Sequence, residues 1–450
     1  MPWELIIWLI SAVLCLALMS QWWWQPRLPD WIGRAQKGPW LWYLGGYPLT
    51  VLRMVATWRK LCQTADLCVV RRPRYTMIGK DSMVRGMALR PLPPRLGLPL
   101  VTPNGLVVRV HLHPGQTPRE FIANADAFAH AWRVHMVKVV SPKRGQVLII
   151  ATASDPLTDS AVGALADWRT VLPPARLLAA IVGRTGEGSA WIMDFRKVPH
   201  WLIAGATQSG KSTLLSSLLT ELGGQPVGLV AIDCKGGMEL SLFARRLSAL
   251  ATSRDEAVVL LSALVTEVER RMYQCRKAGV RSVWELHDDV RPVPVVVIVD
   301  EIAELYLSGG SLTGRKEAVE CSTLLLRLAQ LGAALGVHLV VAAQRFGSDL
   351  GPGATALRAQ LGGRVCHRVN DEQTAEMTLG DLSPDAVAVA QAIGDDEQGV
   401  AVTTVGGHWM RTRSALVTPA AAREYAARDA HLTPHIIGVS SALETGGDGE

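Results

Sequence analysis

Residues 201–213, WLIAGATQSGKST, constrain the fold of this 450-residue chain more than any other segment. An apolar run typical of a β-strand leads into GATQSGKS, which has the spacing Gly-x-x-x-x-Gly-Lys-Ser, and a helical run follows over 213–222. The glycines let the backbone curl, so that successive N–H groups point at phosphate oxygens beside the positive start of a helix. The segment therefore predicts a phosphate-binding loop between a strand and a helix of an α/β fold.

The loop residues have separate predicted tasks in binding a nucleoside triphosphate. Lys211 is expected to reach the β- and γ-phosphates, and the hydroxyl of Ser212 is expected to bind Mg²⁺. We therefore predict ATP and Mg2+ as cofactors. The predicted nucleotide-binding residues are Gly205, Ala206, Thr207, Gln208, Ser209, Gly210, Lys211, Ser212 and Thr213.

Hydrolysis needs a second strand that ends in carboxylates, and residues 293–302, VPVVVIVDEI, fit this need. The β-branched run is typical of a central parallel strand that helices cover on both faces. Asp300 is predicted to hold Mg²⁺ through its water shell, and Glu301 to polarise the attacking water. The apolar runs 227–233 and 337–343 predict two more strands. Gln344, after the second run, is either a γ-phosphate sensor or an ordinary strand-end residue.

Several motifs in order resemble the FtsK/SpoIIIE family of ring-forming double-stranded DNA translocases. They are GATQSGKS, LVAIDCKGGMEL, EVERRMYQCRKAGVRSV, VVVIVDEIAEL and HLVVAAQRFGSD, and the resemblance extends over about residues 165–417. It implies a RecA-like P-loop NTPase motor that works as a homo-oligomer, most often a hexameric ring. The later stretch LRAQLGGRVCHRVNDEQTAEMTLGD resembles the family segment that carries an arginine to the neighbouring subunit's nucleotide. Arg364 matches that arginine, with Arg358 and Arg368 as alternatives.

The N-terminus is predicted to anchor the chain in the cell membrane. Residues 5–19 are apolar and are extended by Trp22–Trp24, which gives a helix of about 20 residues, enough to cross a bilayer with tryptophans at the interface. A cleavable signal peptide is the alternative, but the segment has no basic start and no small-residue cleavage site. The basic residues that follow, Arg27, Arg34 and Lys37, predict a single-pass protein with a cytoplasmic ATPase domain.

The chain is predicted to have four parts. Residues 1–75 form the membrane anchor and a juxtamembrane segment, in which 39–58 are expected to lie at the membrane surface, or to form a second half of a hairpin. Residues 76–165 form a small α/β adapter domain, and 166–418 form the FtsK-like motor. Residues 419–450 are expected to hold a short helix and a disordered acidic tail.

Composition fits a partner that carries negative charge. The net charge of +6 and the pI near 9.0 suit nucleic acid or a membrane surface. The seven scattered cysteines indicate a reducing compartment and argue against a structural metal.

The expected substrate is double-stranded DNA. The glycine-rich loop 345–358 is the predicted DNA contact, since it follows Gln344 and has an arginine at each end. Too little chain follows the last strands for a winged-helix module, so a separate DNA-sequence-recognition protein is an expected partner.

A compact, singly anchored motor of this kind resembles the conjugal transfer proteins of actinobacterial plasmids and integrative elements. The predicted function is therefore a membrane-anchored, ATP-driven DNA translocase for conjugative transfer between mycelial cells. A chromosome-partitioning DNA pump, the ATPase of a type VII-like protein secretion system and a nucleotide-gated membrane scaffold remain as alternatives.

Overall fold

The computed structural model of the chain describes residues 42–70, 91–102, 105–158, 176–307, 311–347, 350–380, 384–405 and 408–443. The chain divides into two compact units, Met1–Pro156 and Leu157–Glu450. The predicted membrane anchor, the boundary predicted at 165/166 and the predicted acidic tail from residue 444 all lie outside the described residues. The sequence had placed the first boundary near residue 75, whereas the described residues on both sides of that point belong to the first unit.

The first unit consists of helices packed on an antiparallel sheet. The sheet has the strand order β3-β5-β7-β6, β4 pairs with the same β5, and β1 pairs with β2. Its described elements are α1 (Tyr47–Thr64), β1 (Val69–Val70), β2 (Pro91–Leu92), β3 (Arg95–Leu96), β4 (Leu100–Thr102), β5 (Gly105–His111), α2 (Pro118–Ala123), α3 (Ala125–Trp132), β6 (Met136–Lys143) and β7 (Gln146–Thr152).

Helix α1 belongs to the core of this first unit. Met54, Trp58 and Cys62 are spaced at one helical turn, and all three are buried in the cluster that also contains Phe128 and Trp132. The indole of Trp58 stacks on Phe128 with ring centroids 5.9 Å apart. We had expected residues 39–58 to lie on a membrane surface, because an apolar helix face does not tell by itself whether protein or lipid covers it. Helix α3 and the rest of this core cover that face, whereas Leu52 and Val55 on the opposite face are exposed.

The second unit is built on a ten-stranded sheet with the order β12-β11-β13-β14-β10-β15-β16-β17-β8-β9. The six neighbours β12-β11-β13-β14-β10-β15 pair in parallel. The strands that follow in this order, from β15 to β9, pair antiparallel. The described elements are β8 (Ala179–Thr185), β9 (Ala190–Asp194), β10 (His200–Ala204), α4 (Lys211–Gly223), β11 (Gly228–Ile232), a 3₁₀ helix (Leu240–Arg246), β12 (Ala249–Ala251), α5 (Arg254–Ala278), β13 (Val295–Val299), α6 (Ile302–Tyr306), α7 (Leu312–Leu335), β14 (Val337–Ala343), α8 (Ala354–Gln360), β15 (Gly363–His367), α9 (Glu372–Leu379), α10 (Pro384–Gln391), β16 (Val400–Val405), β17 (His408–Ser414) and α11 (Pro419–Arg428).

The continuous apolar strands are explained by cover on both faces of the parallel sheet. In β13, Val295, Val297 and Val299 belong to the cluster formed with α5 and α7, while Val296 and Ile298 belong to the cluster formed with α4. Alternate residues of a strand point to opposite faces, so a strand buried on both sides loses the polar positions of an amphipathic one. The predicted α/β class and the four strands predicted around the nucleotide loop are confirmed.

The segment after α11 packs on the second unit as part of its core. Ile436 and Val439 are buried with the strands and helices on one face of the sheet, and Ser248 Oγ donates a hydrogen bond of 3.1 Å to the carbonyl of Pro434. The sequence had assigned residues 419–450 to a short helix and a disordered tail outside the motor. Two isolated apolar side chains carry no periodic signal, so only the folded structure shows that they are buried.

Ile436 and Ile437 provide a matched test of this packing. Ile436 is 6% exposed and Ile437 is 74% exposed. Ile436→Ala is expected to lower the free energy of unfolding by about 2–4 kcal/mol, because it removes buried methyl groups and leaves a cavity. Ile437→Ala is expected to stay within about 0.5 kcal/mol of the parent. Urea denaturation measures both, and equal effects of the two substitutions would contradict the packing.

Among the described residues, helix α7 is long and apolar enough to cross a membrane. Its residues Cys321, Leu325 and Leu328 are buried in the core of the second unit. The apolar composition of α7 therefore reflects its place against the sheet.

Candidate nucleotide-binding site

The predicted phosphate loop lies between β10 and α4, at the carboxyl end of the parallel strands. The N–H of Gly205 donates to Ala343 at 3.1 Å, and the N–H of Ala206 donates to Arg368 at 2.9 Å. These two bonds tie the start of the loop to both strands that flank β10. The loop is thus held on a rigid edge of the sheet, where ligands of open α/β folds bind.

Two positions of the loop require glycine, because atoms of other residues lie where a Cβ would be. A Cβ on Gly205 would lie 2.4 Å from Ser209 Oγ and 2.8 Å from the Cβ of His367. A Cβ on Gly210 would lie 2.4 Å from the backbone of Gly399, and Gly210 also has a φ of +109°. Glycine is the residue that tolerates both conditions.

The curled loop presents hydrogen-bond donors that fit phosphate. Within the described part of the chain, the backbone N–H groups of Thr207, Gln208 and Gly210 donate to no acceptor. They lie just before the start of α4, where the helix dipole favours negative charge. Ser209 Oγ is buried and has no partner in the structure. This set of donors fits the phosphates of a nucleotide.

Glu301 lies against the phosphate loop, at the start of α6. Its Oε2 is 3.0 Å from Lys211 Nζ, and its Oε1 accepts a 3.2 Å hydrogen bond from the backbone N–H of Gln344. The side chains of Lys211 and Glu301 are 11% and 5% exposed, so water screens the pair little. The structure brings together three of the predicted site residues in a single contact network.

Asp300 is buried beside this network. Burial raises the pKa of its carboxyl to about 6, against the opposing effect of Lys211, while Asp233 raises it further. Its Oδ1 has no hydrogen-bond partner. An unsatisfied buried carboxylate oxygen is costly unless a cation or a donor completes it. Asp300 and the half-buried Ser212 of the loop therefore fit a Mg²⁺ site.

The strand order explains how these groups meet. β14 lies between the strand of the phosphate loop, β10, and the strand that ends before Asp300, β13. Gln344 follows β14, so its backbone reaches Glu301, while its side chain is exposed. The sensor role of that side chain stays a prediction.

Lys235 is a site residue that the sequence reasoning missed. Its Nζ lies 3.5 Å from Glu301 Oε2, on the same oxygen that Lys211 contacts. The signal in the sequence was a lysine two residues after the strand-end Asp233, followed by two glycines. That pattern also describes an ordinary basic turn, so only the fold distinguishes the two.

His367 lies under the phosphate loop and is fully buried. Its Nδ1 is 3.0 Å from the carbonyl of Val400, and burial lowers the pKa of the imidazole to about 4. The ring is therefore neutral at physiological pH, and its contact with a carbonyl places the proton on Nδ1. Like Ser209 Oγ, its Nε2 is buried without a hydrogen-bond partner.

The three candidate arginines have different surroundings. Arg364 lies in β15, is half-buried, and donates from Nη2 to the carbonyl of Arg358 at 2.6 Å. Arg358 itself donates to Phe346 at 3.1 Å. Arg368 contacts Asp395 at 2.8 Å and the carbonyl of Thr207 in the phosphate loop at 3.3 Å. A role of Arg364 at a neighbouring subunit stays a prediction.

The described residues hold no cluster of three or more His, Cys, Asp or Glu side chains suited to a metal ion. The Mg²⁺ site considered above needs only one carboxylate and one hydroxyl, with the nucleotide and water as further ligands.

Comparison with known proteins gives two matching families. The N-terminal domain of actinomycete conjugal transfer proteins matches residues 31–153, and the FtsK/SpoIIIE family matches residues 173–294 and 287–348. The first match joins α1 to the sheet of the first unit in one domain.

Two curated relatives and one solved structure illustrate the likeness. The chain is 42% identical to Transfer protein TraSA of Streptomyces ambofaciens over 368 residues, which cover 78% of this chain and 86% of that protein. It is 30% identical to DNA translocase FtsK of Sporosarcina ureae over 295 residues, which cover 59% of this chain and 36% of that protein. The pCW3 conjugation coupling protein TcpA, in its monomer form with ATPγS, superposes with a TM-score of 0.53 at 20% identity, over 82% of this chain and 98% of that one. The structural likeness shows a shared fold alone.

Proposed function

Because this chain belongs to the FtsK/SpoIIIE family, we propose that it is an ATP-driven motor that moves double-stranded DNA during conjugative transfer. The observation that carries the proposal is the contact between Lys211 and Glu301, with Asp300 buried beside it. A phosphate-binding lysine, a metal-binding aspartate and a water-polarising glutamate are the groups that ATP hydrolysis requires.

In the proposed mechanism, the triphosphate binds the free N–H groups of the loop and draws Lys211 from Glu301. Lys211 then holds the β- and γ-phosphates, and the carboxylate of Glu301 is released to orient and polarise the attacking water. The side chains of Lys211 and Glu301 are both buried, so little water competes with the contact of Lys211 to phosphate or of Glu301 to the attacking water.

We propose that Ser212 and Asp300 hold Mg²⁺ at this site. The ion, when bound, would neutralise charge that develops on the phosphates. Asp300 contributes a buried carboxylate, and this burial raises the pKa of the carboxyl to about 6.

For the DNA contact we propose the segment after β14. Arg345 is exposed and its Nη2 donates to Gln373 at 2.9 Å, whereas Arg358 lies in α8 and turns back to Phe346. Phe346 is buried, so it anchors the segment on the core. Of the two arginines predicted from the sequence, we therefore propose Arg345 as the contact to the phosphate backbone.

DNA-stimulated ATP hydrolysis tests the proposed function. Unrelated duplexes are expected to stimulate the full chain about equally, and the apparent affinity is expected to fall steeply with salt, because phosphate contacts release counterions. Arg345→Ala is expected to reduce the logarithmic salt slope by about one per lost contact. Arg423→Ala, an exposed arginine on α11, serves as the control and is expected to leave the slope unchanged.

Two outcomes would contradict this proposal. Absence of stimulation by any duplex would favour the protein-secretion ATPase or the nucleotide-gated scaffold. A preference for one short sequence that persists at high salt would mean that the chain reads base edges.

We further propose that the motor is a hexameric ring at the cell membrane, with its ATPase unit in the cytoplasm. Membership of the family supports the ring, and the apolar run at residues 5–24 supports the anchor. Helix α1 adds an observation outside that run. Its face away from the core exposes Leu52 and Val55, followed by Arg59 and Lys60, which suits contact with an anionic bilayer surface. A chromosome-partitioning DNA pump, which would use the same motor, remains the alternative function.

A further inference from the structure

Glu301 is contacted by two lysines rather than one. Lys211 Nζ lies 3.0 Å and Lys235 Nζ lies 3.5 Å from the same oxygen, Oε2, while Oε1 accepts the N–H of Gln344. The carboxylate thus has one partner in the phosphate loop, one in the loop after β11 and one after β14. Lys211 by itself already balances the negative charge of Glu301. Lys235 is therefore a second cation on the same oxygen.

The loop that carries Lys235 is held in place by a buried carboxylate. Asp233 Oδ1 accepts the N–H of Lys235 at 3.3 Å, and Oδ2 accepts the N–H groups of Glu239 and Leu240 at 3.0 and 3.2 Å. Gly236 and Gly237, which lie between these donors, both have positive φ angles. Hydrogen bonds to Asp233 therefore hold the backbone of this loop, and the side chain of Lys235, which is 40% exposed, contacts Glu301.

In the proposed mechanism, binding of a triphosphate draws Lys211 away from Glu301. Glu301, Asp300 and Asp233 are all buried, so the departure of one ammonium leaves acidic groups in a region that water screens poorly. Among the ion pairs of the described residues, Lys235 supplies the second cation on Glu301. It stays available because its loop does not belong to the phosphate-binding segment.

We infer that Lys235 is a positioning residue, which holds the carboxylate of Glu301 in its productive orientation while Lys211 binds phosphate. This inference rests on the proposed ATPase function. Lys235 acts through Glu301, whose Oε2 it contacts at 3.5 Å. Loss of its charge therefore affects the hydrolytic step, whereas loss of Lys211 affects nucleotide binding.

The test compares Lys235→Met, Lys235→Gln and Lys235→Arg in the full chain. The two uncharged variants are expected to lower kcat about 10–100-fold, as misplacement of a catalytic group does. The KM for ATP and the affinity for ATPγS are expected to stay within about twofold of the parent, because ground-state contacts are intact. Lys235→Arg keeps the charge and is expected to recover most of kcat. Lys277→Met, an exposed lysine at the end of α5, is the control and is expected to match the parent.

Several results would overturn the inference. They are an unchanged kcat in Lys235→Met and Lys235→Gln, a large loss of ATPγS affinity in either, which would make Lys235 a phosphate ligand, or no recovery in Lys235→Arg. Thermal midpoints identify any variant that fails to fold, and the other uncharged variant then decides. Glu301→Gln in the same assay distinguishes failure of the positioning role from failure of the ATPase site: if it hydrolyses ATP at the parental rate, the proposed ATPase site fails independently of Lys235.

Discussion

Glu301→Gln is expected to lower kcat for ATP by about 10²–10⁴-fold, the usual contribution of a general base, while ATP still binds. The amide has the shape of the carboxylate but cannot accept a proton from water. In the structure Glu301 Oε2 lies 3.0 Å from Lys211 Nζ, the group that we propose binds the phosphates. Removing its charge frees that lysine, so the affinity for ATPγS is expected to equal or exceed that of the parent. Steady-state hydrolysis and analogue binding measure the two effects separately.

Lys211→Ala is expected to impair nucleotide binding, the property that Glu301→Gln leaves intact. We propose that Lys211 contacts the phosphates in the ground state, so its loss is expected to remove most of the nucleotide affinity. In this variant Glu301 keeps Lys235 as an ion-pair partner, which protects the fold from an uncompensated buried charge. Parental hydrolysis in Glu301→Gln, or parental affinity in Lys211→Ala, would show that these roles are assigned wrongly.

Arg364→Ala is expected to lower ATP hydrolysis by about 10³–10⁵-fold, the typical effect of an arginine that serves a neighbouring nucleotide. Its activity is expected to return in part when the variant is mixed with Lys211→Ala subunits. Some interfaces of a mixed ring then combine an intact phosphate loop with an intact arginine. Hydrolysis measured over a series of mixing ratios tests this, with each variant alone as the control.

The surroundings of Arg364 make this a demanding test. Its guanidinium donates to the carbonyl of Arg358 within the same chain, so it must leave this bond to reach a neighbour. Arg368→Ala is the informative comparison, because Arg368 contacts the phosphate loop of its own chain through Thr207. Absence of rescue with Arg364→Ala in rings shown to be mixed would exclude its role in trans, and rescue with Arg368→Ala would assign the role to that residue instead.

The sequence by itself determined the nucleotide loop, the class of the fold and the strands around the site. These features are local: a Gly-x-x-x-x-Gly-Lys-Ser spacing requires a curled backbone, and a β-branched run such as 295–299 requires cover on both faces. The sequence also predicted the family, because several motifs occur in the order that the family has. The matches to known families confirm this prediction.

Only the tertiary structure decided which side chains contact each other across the site and which core buries the isolated apolar residues. Lys235 is 66 residues away from Glu301 along the chain, and no local periodicity links a turn lysine to a carboxylate on another strand. Helix α1 and Ile436 show the same limit for packing, because an apolar side chain indicates burial but not its partner. Long-range contacts depend on the order of strands in the sheet, and this order places β14 between β10 and β13 and so brings Lys211, Glu301 and Gln344 together.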